Sequence, residues 1–149
     1  MKKIILLVIV SILLCVISML TYKVNLPNAD EIKVYSQSSD LDIDAVAKTR
    51  AFGVTRYTLS NRDIEKIQED FSNIISIEFT YKKISIDEII EQLNCIIVSY
   101  EKVENVLIYY LYTSSIDESI EVDNRYINVE VAISKENVKI GIPLLVGEY

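Results

Sequence analysis

The feature that most constrains this chain is a succession of short apolar-rich runs after residue 94: "CIIVSYE" (95–101), "NVLIYYLYT" (105–113), "RYINVEVAIS" (125–134) and "NVKIGIPLL" (137–145). Each is rich in Val, Ile and Tyr, the residues that suit a pleated, half-buried surface. Asp123-Asn124 lies between alternating stretches, where a tight hairpin turn is wanted, and "SKEN" (134–137) supplies the next turn. The run predicts an antiparallel meander of about four strands. Just before it, "SIDEIIEQLN" (85–94) reads as a helix. Ser85 and Glu88 form a capping box, and Ile86, Ile89, Ile90 and Leu93 repeat at helical spacing. A helix on one face of a sheet is a stable two-layer arrangement. The final strand carries Pro143, which lacks an N–H donor, so that strand is expected near the sheet rim.

The first half of the body follows a similar rhythm. Residues 31–36, "EIKVYS", alternate as a strand does. Residues 41–59 suit two strands with Gly53 marking the bend between them. Residues 60–71 carry Ser60 as a cap and Ile64, Ile67 and Phe71 on one helical face, so a helix is predicted there. Residues 74–84 alternate Ile75, Ile77, Phe79 and Tyr81 with polar partners, a further strand. With three Gly and two Pro in 149 residues, the chain does not have the composition of a flexible stalk. The predicted class is α+β: helices packed on an antiparallel sheet, after an N-terminal transmembrane helix.

That N-terminal element rests on residues 4–22, which contain no charge and follow Lys2 and Lys3. About 20 apolar residues span a bilayer. The run exceeds the usual apolar core of a secretory peptide, and Ser18-Met19-Leu20 places Leu where a cleavage site wants a small residue. An uncleaved signal anchor is therefore expected, with a secreted body as the alternative if the segment is cleaved. Cys15 follows Leu14, not the small residue of a lipoprotein site, and reads as one more apolar helix residue. The basic start favours a cytoplasmic N-terminus and an extracytoplasmic body. The expected organisation is an anchor over 1–23, a linker over 24–30 containing Pro27, and one domain over 31–149.

Charge and residue inventory narrow the chemistry. Three of the 15 Lys and Arg (Lys2, Lys3, Lys23) precede residue 24, whereas all 22 Asp and Glu follow it. A body with ten more acidic than basic groups repels phosphate backbones, and no nucleic-acid partner is expected. The chain has no His, which removes His-based triads and His-ligated zinc. Cys95 is the sole Cys beyond the anchor, and its apolar neighbours predict burial. No cofactor is expected.

Two clusters stand out as candidate sites. Asp40, Asp42 and Asp44 would project from one strand face and attract a hard cation, although an EF-hand loop would need Gly and Glu where Ala45 and Ala51 stand. A carboxylate- or metal-dependent hydrolase on these residues is the alternative function; a solvated strand face is the simpler account. The ten tyrosines are the other cluster. Tyr110 and Tyr112 fall on one strand face with Tyr109 opposite, and Tyr100 and Tyr126 are expected on adjacent strands. A face lined by Tyr100, Tyr110, Tyr112 and Tyr126 suits a protein, peptide or glycan partner, against the plainer role of cross-strand packing. Glu101 and Glu104 flank a turn and are expected to be solvated.

The C-terminal residues also resemble a known family. "SSIDESIEVDNRYINVEVAI" followed by "KIGIPLLVGEY" is similar to the end of the YwmB family, with Gly141, Pro143, Glu148 and Tyr149 in the places of its closing Gly-x-Pro and Glu-Tyr. The likeness covers residues 85–149, and residues 31–84 share only a strand-helix-strand rhythm. It implies a TATA-box-binding-protein-like fold and an N-terminal hydrophobic segment, in spore-forming Gram-positive bacteria. It implies no catalytic residues. A saddle that grips DNA needs basic residues along its sheet, which this body lacks. The sequence thus predicts a membrane-anchored, extracytoplasmic binding protein that contacts a protein, peptide or envelope component and has no catalytic, cofactor or metal site.

Overall fold

The alternating runs pair into one sheet. The computed structural model describes residues 26, 28–38, 40, 41, 43, 45–59 and 73–146. The strands are β1 (Glu31–Ser36), β2 (Ala45–Ala51), β3 (Val54–Leu59), β4 (Ile74–Tyr81), β5 (Ile96–Val103), β6 (Val106–Tyr112), β7 (Ile120–Val122), β8 (Arg125–Ile127), β9 (Val129–Ile133) and β10 (Val138–Ile142). Eight of them form an antiparallel sheet in the order β2-β3-β1-β4-β10-β9-β6-β5, and β7-β8 form a separate hairpin. The helix expected over 60–71, the anchor over 4–22, Pro27, Asp42, Asp44 and Tyr149 lie outside the described residues. Among those described, no helix is long and apolar enough to cross a membrane.

Strand alternation sorts the side chains onto two faces. On one face a register row runs Leu59, Ile32, Phe79, Ile140, Val131, Tyr109. Its neighbours Tyr57, Val34, Ile77 and Leu111 belong to the same buried cluster. Helix α1 (Ile86–Leu93) adds Ile89 and Leu93 to that cluster. Eight residues are too few for a helix to persist alone. Two fully buried aliphatic side chains contribute roughly 4 kcal/mol, which is what holds it. The Ser85 hydroxyl caps it by accepting from the Glu88 N–H at 3.1 Å, and Asn94 ends it in the left-handed region at φ 48°.

The structure overturns the predicted class. Helices on a four-strand, TATA-box-binding-protein-like sheet are not what forms. The meander β5-β6-β9-β10 is present, but it is half of an eight-stranded sheet. The other half, β2-β3-β1-β4, continues it through the β4-β10 ladder. A single helix accompanies this sheet among the described residues. Alternation tells which residues are extended and which face they take, but it does not choose neighbours. The expected rim position of the last strand fails for the same reason. β10 is central, bonded to β4 and β9, and Pro143 follows the last paired residue, Ile142, so its missing donor interrupts no ladder.

The run 125–134 is likewise two strands, not one. Asn128, fully buried, stands between β8 and β9. Its side-chain amide donates to the carbonyls of Thr113 (2.8 Å) and Ile116 (3.0 Å), and its oxygen accepts from the Thr113 N–H (2.9 Å). That triple tie lets β8 leave the sheet. The Asp123-Asn124 turn, with both residues at positive φ (51° and 59°), then returns the chain as the two-residue hairpin expected there.

Candidate binding groove

The second face of the sheet carries the polar chemistry. One register row crosses all eight strands: Ala47, Thr58, Lys33, Glu78, Gly141, Glu130, Tyr110, Ser99. Gly141 divides it, with a buried glutamate on either side, Glu78 at 2% and Glu130 at 3% exposure. The glycine is required by close approach. A Cβ at position 141 would stand 2.3 Å from the Leu145 nitrogen and 2.4 Å from the Leu144 carbonyl carbon, both backbone atoms. After the cis Ile142–Pro143 bond, residues 143–146 fold back across the middle of the polar face. This strap is held on both sides. Ser76 Oγ donates to the Leu144 carbonyl at 2.5 Å, and the Leu145 N–H donates to Glu130 Oε2 at 2.9 Å.

On the β4 side of the strap, charges answer one another. Lys33 Nζ lies 2.7 Å from Glu31 Oε2 and 3.8 Å from Glu78 Oε1, and the Tyr35 hydroxyl donates to Glu78 Oε2 at 3.4 Å. Burial by itself would lower the Lys33 pKa. The hydrogen bond and charge of Glu31, with the charge of Glu78, outweigh it, so the ammonium is held above the ordinary lysine value. Burial, then the Glu78 carboxylate, pushes the Tyr35 phenol up.

On the β9 side the polar face opens into a groove of about 730 Å³. Its floor is Ser99, Glu101, Tyr110 and Glu130. The hairpin forms one wall with Val122, Asp123, Arg125 and Ile127, and Leu144 and Leu145 of the strap form the other. Val98 and Tyr100 border it at the outer strand. Tyr110 donates to Glu101 Oε1 at 2.5 Å, which draws that exposed carboxylate over the floor. Arg125 Nη1 donates to the Val98 carbonyl at 3.2 Å, tying the hairpin to β5. Three carboxylates and one guanidinium, set among aliphatic walls, make a concavity with net negative charge. Its dimensions are those of sites that enclose small or extended ligands.

The four predicted tyrosines do not form one face. Tyr110 lies on the groove floor. Tyr112 is two residues along the same strand face, opposite Ile96, but does not line the groove. Tyr100 pairs with Tyr109, not Tyr110, and the two rings pack tilted at 5.9 Å between centroids and 38° between planes. Tyr126 is exposed on β8 opposite Glu121. The two-residue turn at Glu104-Asn105 sets Val103 against Val106, and so Tyr100 against Tyr109; counting back from it would have placed Tyr100 on the other face. Glu130, Arg125 and Gly141 were missed. The polar residues Asn128 and Glu130 within an apolar run were the available signal for Glu130. Glu101, expected to be solvated, meets Tyr110 across the β5-β6 ladder.

Other candidates hold less. Asp40 is nearly fully exposed, with an ion pair to Lys48 at 3.9 Å. Among the described residues no three His, Cys, Asp or Glu side chains are grouped to hold a metal. Cys95 is buried, as its neighbours predicted, and burial pushes its thiol up to about 12, away from thiolate chemistry at neutral pH. No family model, curated protein or solved structure matches the chain.

Proposed function

We propose that the chain is a binding protein whose polar-face groove receives a segment of a protein, peptide or envelope component. Residues 4–22 anchor it in the membrane, and the body works outside the cytoplasm. The observation that carries this reading is the groove itself, with Tyr110 and Glu101 hydrogen-bonded on its floor, Leu144 and Leu145 on one wall, and Val122, Asp123, Arg125 and Ile127 on the other. Polar and charged groups converging beside aliphatic side chains in one concavity can fix the orientation of a bound ligand. All groove residues fall within Val98 to Leu145. That is the part of the chain on which kinship with the YwmB family is proposed.

The test is site-specific photo-crosslinking in intact cells. A benzophenone side chain replaces Val122 on the groove wall, or Thr49 on the far edge of the sheet. The expected result is a discrete adduct from position 122, none from position 49, and loss of the first when Tyr110→Ser is added. Equal adducts from both positions, or none from 122, would end the reading.

A further inference from the structure

The groove opens beside the outermost strand, and the two outer edges of the sheet differ. At one edge, β2 is bulged at Val46, carries Lys48 and Arg50, and otherwise consists of Ala and Thr. Bulges and cationic side chains are how natural sheets discourage strand addition. At the other edge, β5 is also bulged, at Val98, whose carbonyl is taken by Arg125. Beyond that point residues 99–103 run in unbroken register to the Glu104-Asn105 turn, and no strand pairs with their outer side among the described residues. Seven of the ten large apolar residues exposed among the described ones lie on β5 or the adjoining hairpin. The corner is thus an apolar surface with an open backbone edge.

We propose that the outer edge of β5, residues 99–103, accepts a ninth strand from an extended partner peptide whose side chains alternate between apolar and basic. Strand addition presupposes the binding role proposed above and specifies its ligand. The backbone edge supplies main-chain hydrogen bonds, and side chains on either face supply selectivity. On the apolar face the incoming residues meet Tyr100, 69% exposed, and the exposed Lys102, which disfavours a basic residue on that face and leaves the basic positions to the other. On the polar face they meet Glu101 at the mouth of a groove that also holds Asp123 and Glu130 against Arg125, so a Lys or Arg is favoured there. About five paired residues fit before the turn. The β2 edge, cationic and without large apolar side chains along its regular part, repels the same peptide.

The test uses the full-length protein in a neutral detergent and fluorescence anisotropy of a labelled, capped Val-Lys-Val-Lys-Val-Lys peptide. Expected are binding at least about tenfold tighter than that of the Val-Glu alternating peptide and reversal of this preference in Glu101→Lys. Fully N-methylated Val-Lys peptide should lose binding, and Lys48→Glu/Arg50→Glu should change nothing. Glu101 is exposed, so an unchanged urea midpoint verifies that its variant folds. If the N-methylated peptide binds as well as the parent, strand addition is wrong while the groove reading stands. If affinity follows Lys48 and Arg50 rather than Glu101, the edge is misassigned and the proposal fails. A wild-type protein that ignores the peptide overturns it too, including the case where sedimentation shows β5 occupied by a second copy. In all these cases the crosslinking from position 122 reports separately on the groove.

Discussion

Glu78 and Glu130 occupy equivalent places on either side of Gly141, in one register row, and both are almost fully buried. Their surroundings differ. Glu78 meets an ammonium and a phenol from β1, side chains that belong to the sheet itself. Glu130 meets the backbone N–H of the strap and faces the groove. A buried carboxylate answered by a fixed cation is part of the structure, and removing one partner leaves the other stranded. Glu130, answered by a main-chain donor at the margin of a cavity, holds the strap in place and lines the groove. The same residue type in the same strand geometry therefore joins an ion-pair cluster on one side and lines a groove on the other.

Substitutions should expose this asymmetry. The largest effect is expected from Glu78→Ala, about 3 kcal/mol of lost stability by urea denaturation, because a cavity opens, the buried Tyr35 hydroxyl loses its acceptor and Lys33 keeps only Glu31. Gly141→Ala comes next at about 2 kcal/mol, the cost of forcing a methyl against backbone that cannot yield cheaply. It should also speed hydrogen exchange at the Leu145 amide, since the strap must lift. Glu130→Gln should cost about 1 kcal/mol or less, because the amide oxygen still accepts from Leu145. A Glu130→Gln cost equal to that of Glu78→Ala would break the comparison.

The smallest effect concerns alkali. Lys33 and Tyr35 both have folded pKa values raised above their ordinary ones near 10.5 and 10.0. Groups raised on folding contribute stability in full below the unfolded value and lose it as pH rises through the folded one. Stability should therefore fall from about pH 10 upward. Buried Tyr81, raised by burial and then by the charges of Asp30 and Glu88, adds to the fall. Urea midpoints from pH 8 to 11 should decline less steeply in Lys33→Met than in the parent. Equal slopes would show that the Glu78 side does not depend on its ammonium.

Much of the local structure was legible. The limits of β1 and the ends of α1 follow from alternation and from Ser85, and the hairpin follows from Asp123-Asn124. These are decided within a few residues of chain. The failures were of longer range. Val138, Ile140 and Ile142 alternate in the same way at a rim as in the middle of a sheet, so β10 was misplaced. The break at Asn128 depends on Thr113 and Ile116, distant carbonyls that no local pattern announces. The candidate site was half legible. Tyr110 was identified, but its partner Glu101 was read as solvent-facing, and the strap that walls the groove was read as the end of a strand.

The central place of β10 bears on how the chain is made. Ribosomes deliver β4 about 60 residues before β10, and the two halves of the sheet have no ladder in common until β10 arrives. Until then β4 and β9 each hold an uncovered edge toward the missing strand, in a nascent chain rich in Ile, Val and Tyr. Completion of this sheet is thus a late, long-range event. A ribosome that stalls before residue 138 would release two half-sheets, each open to pairing with a neighbour.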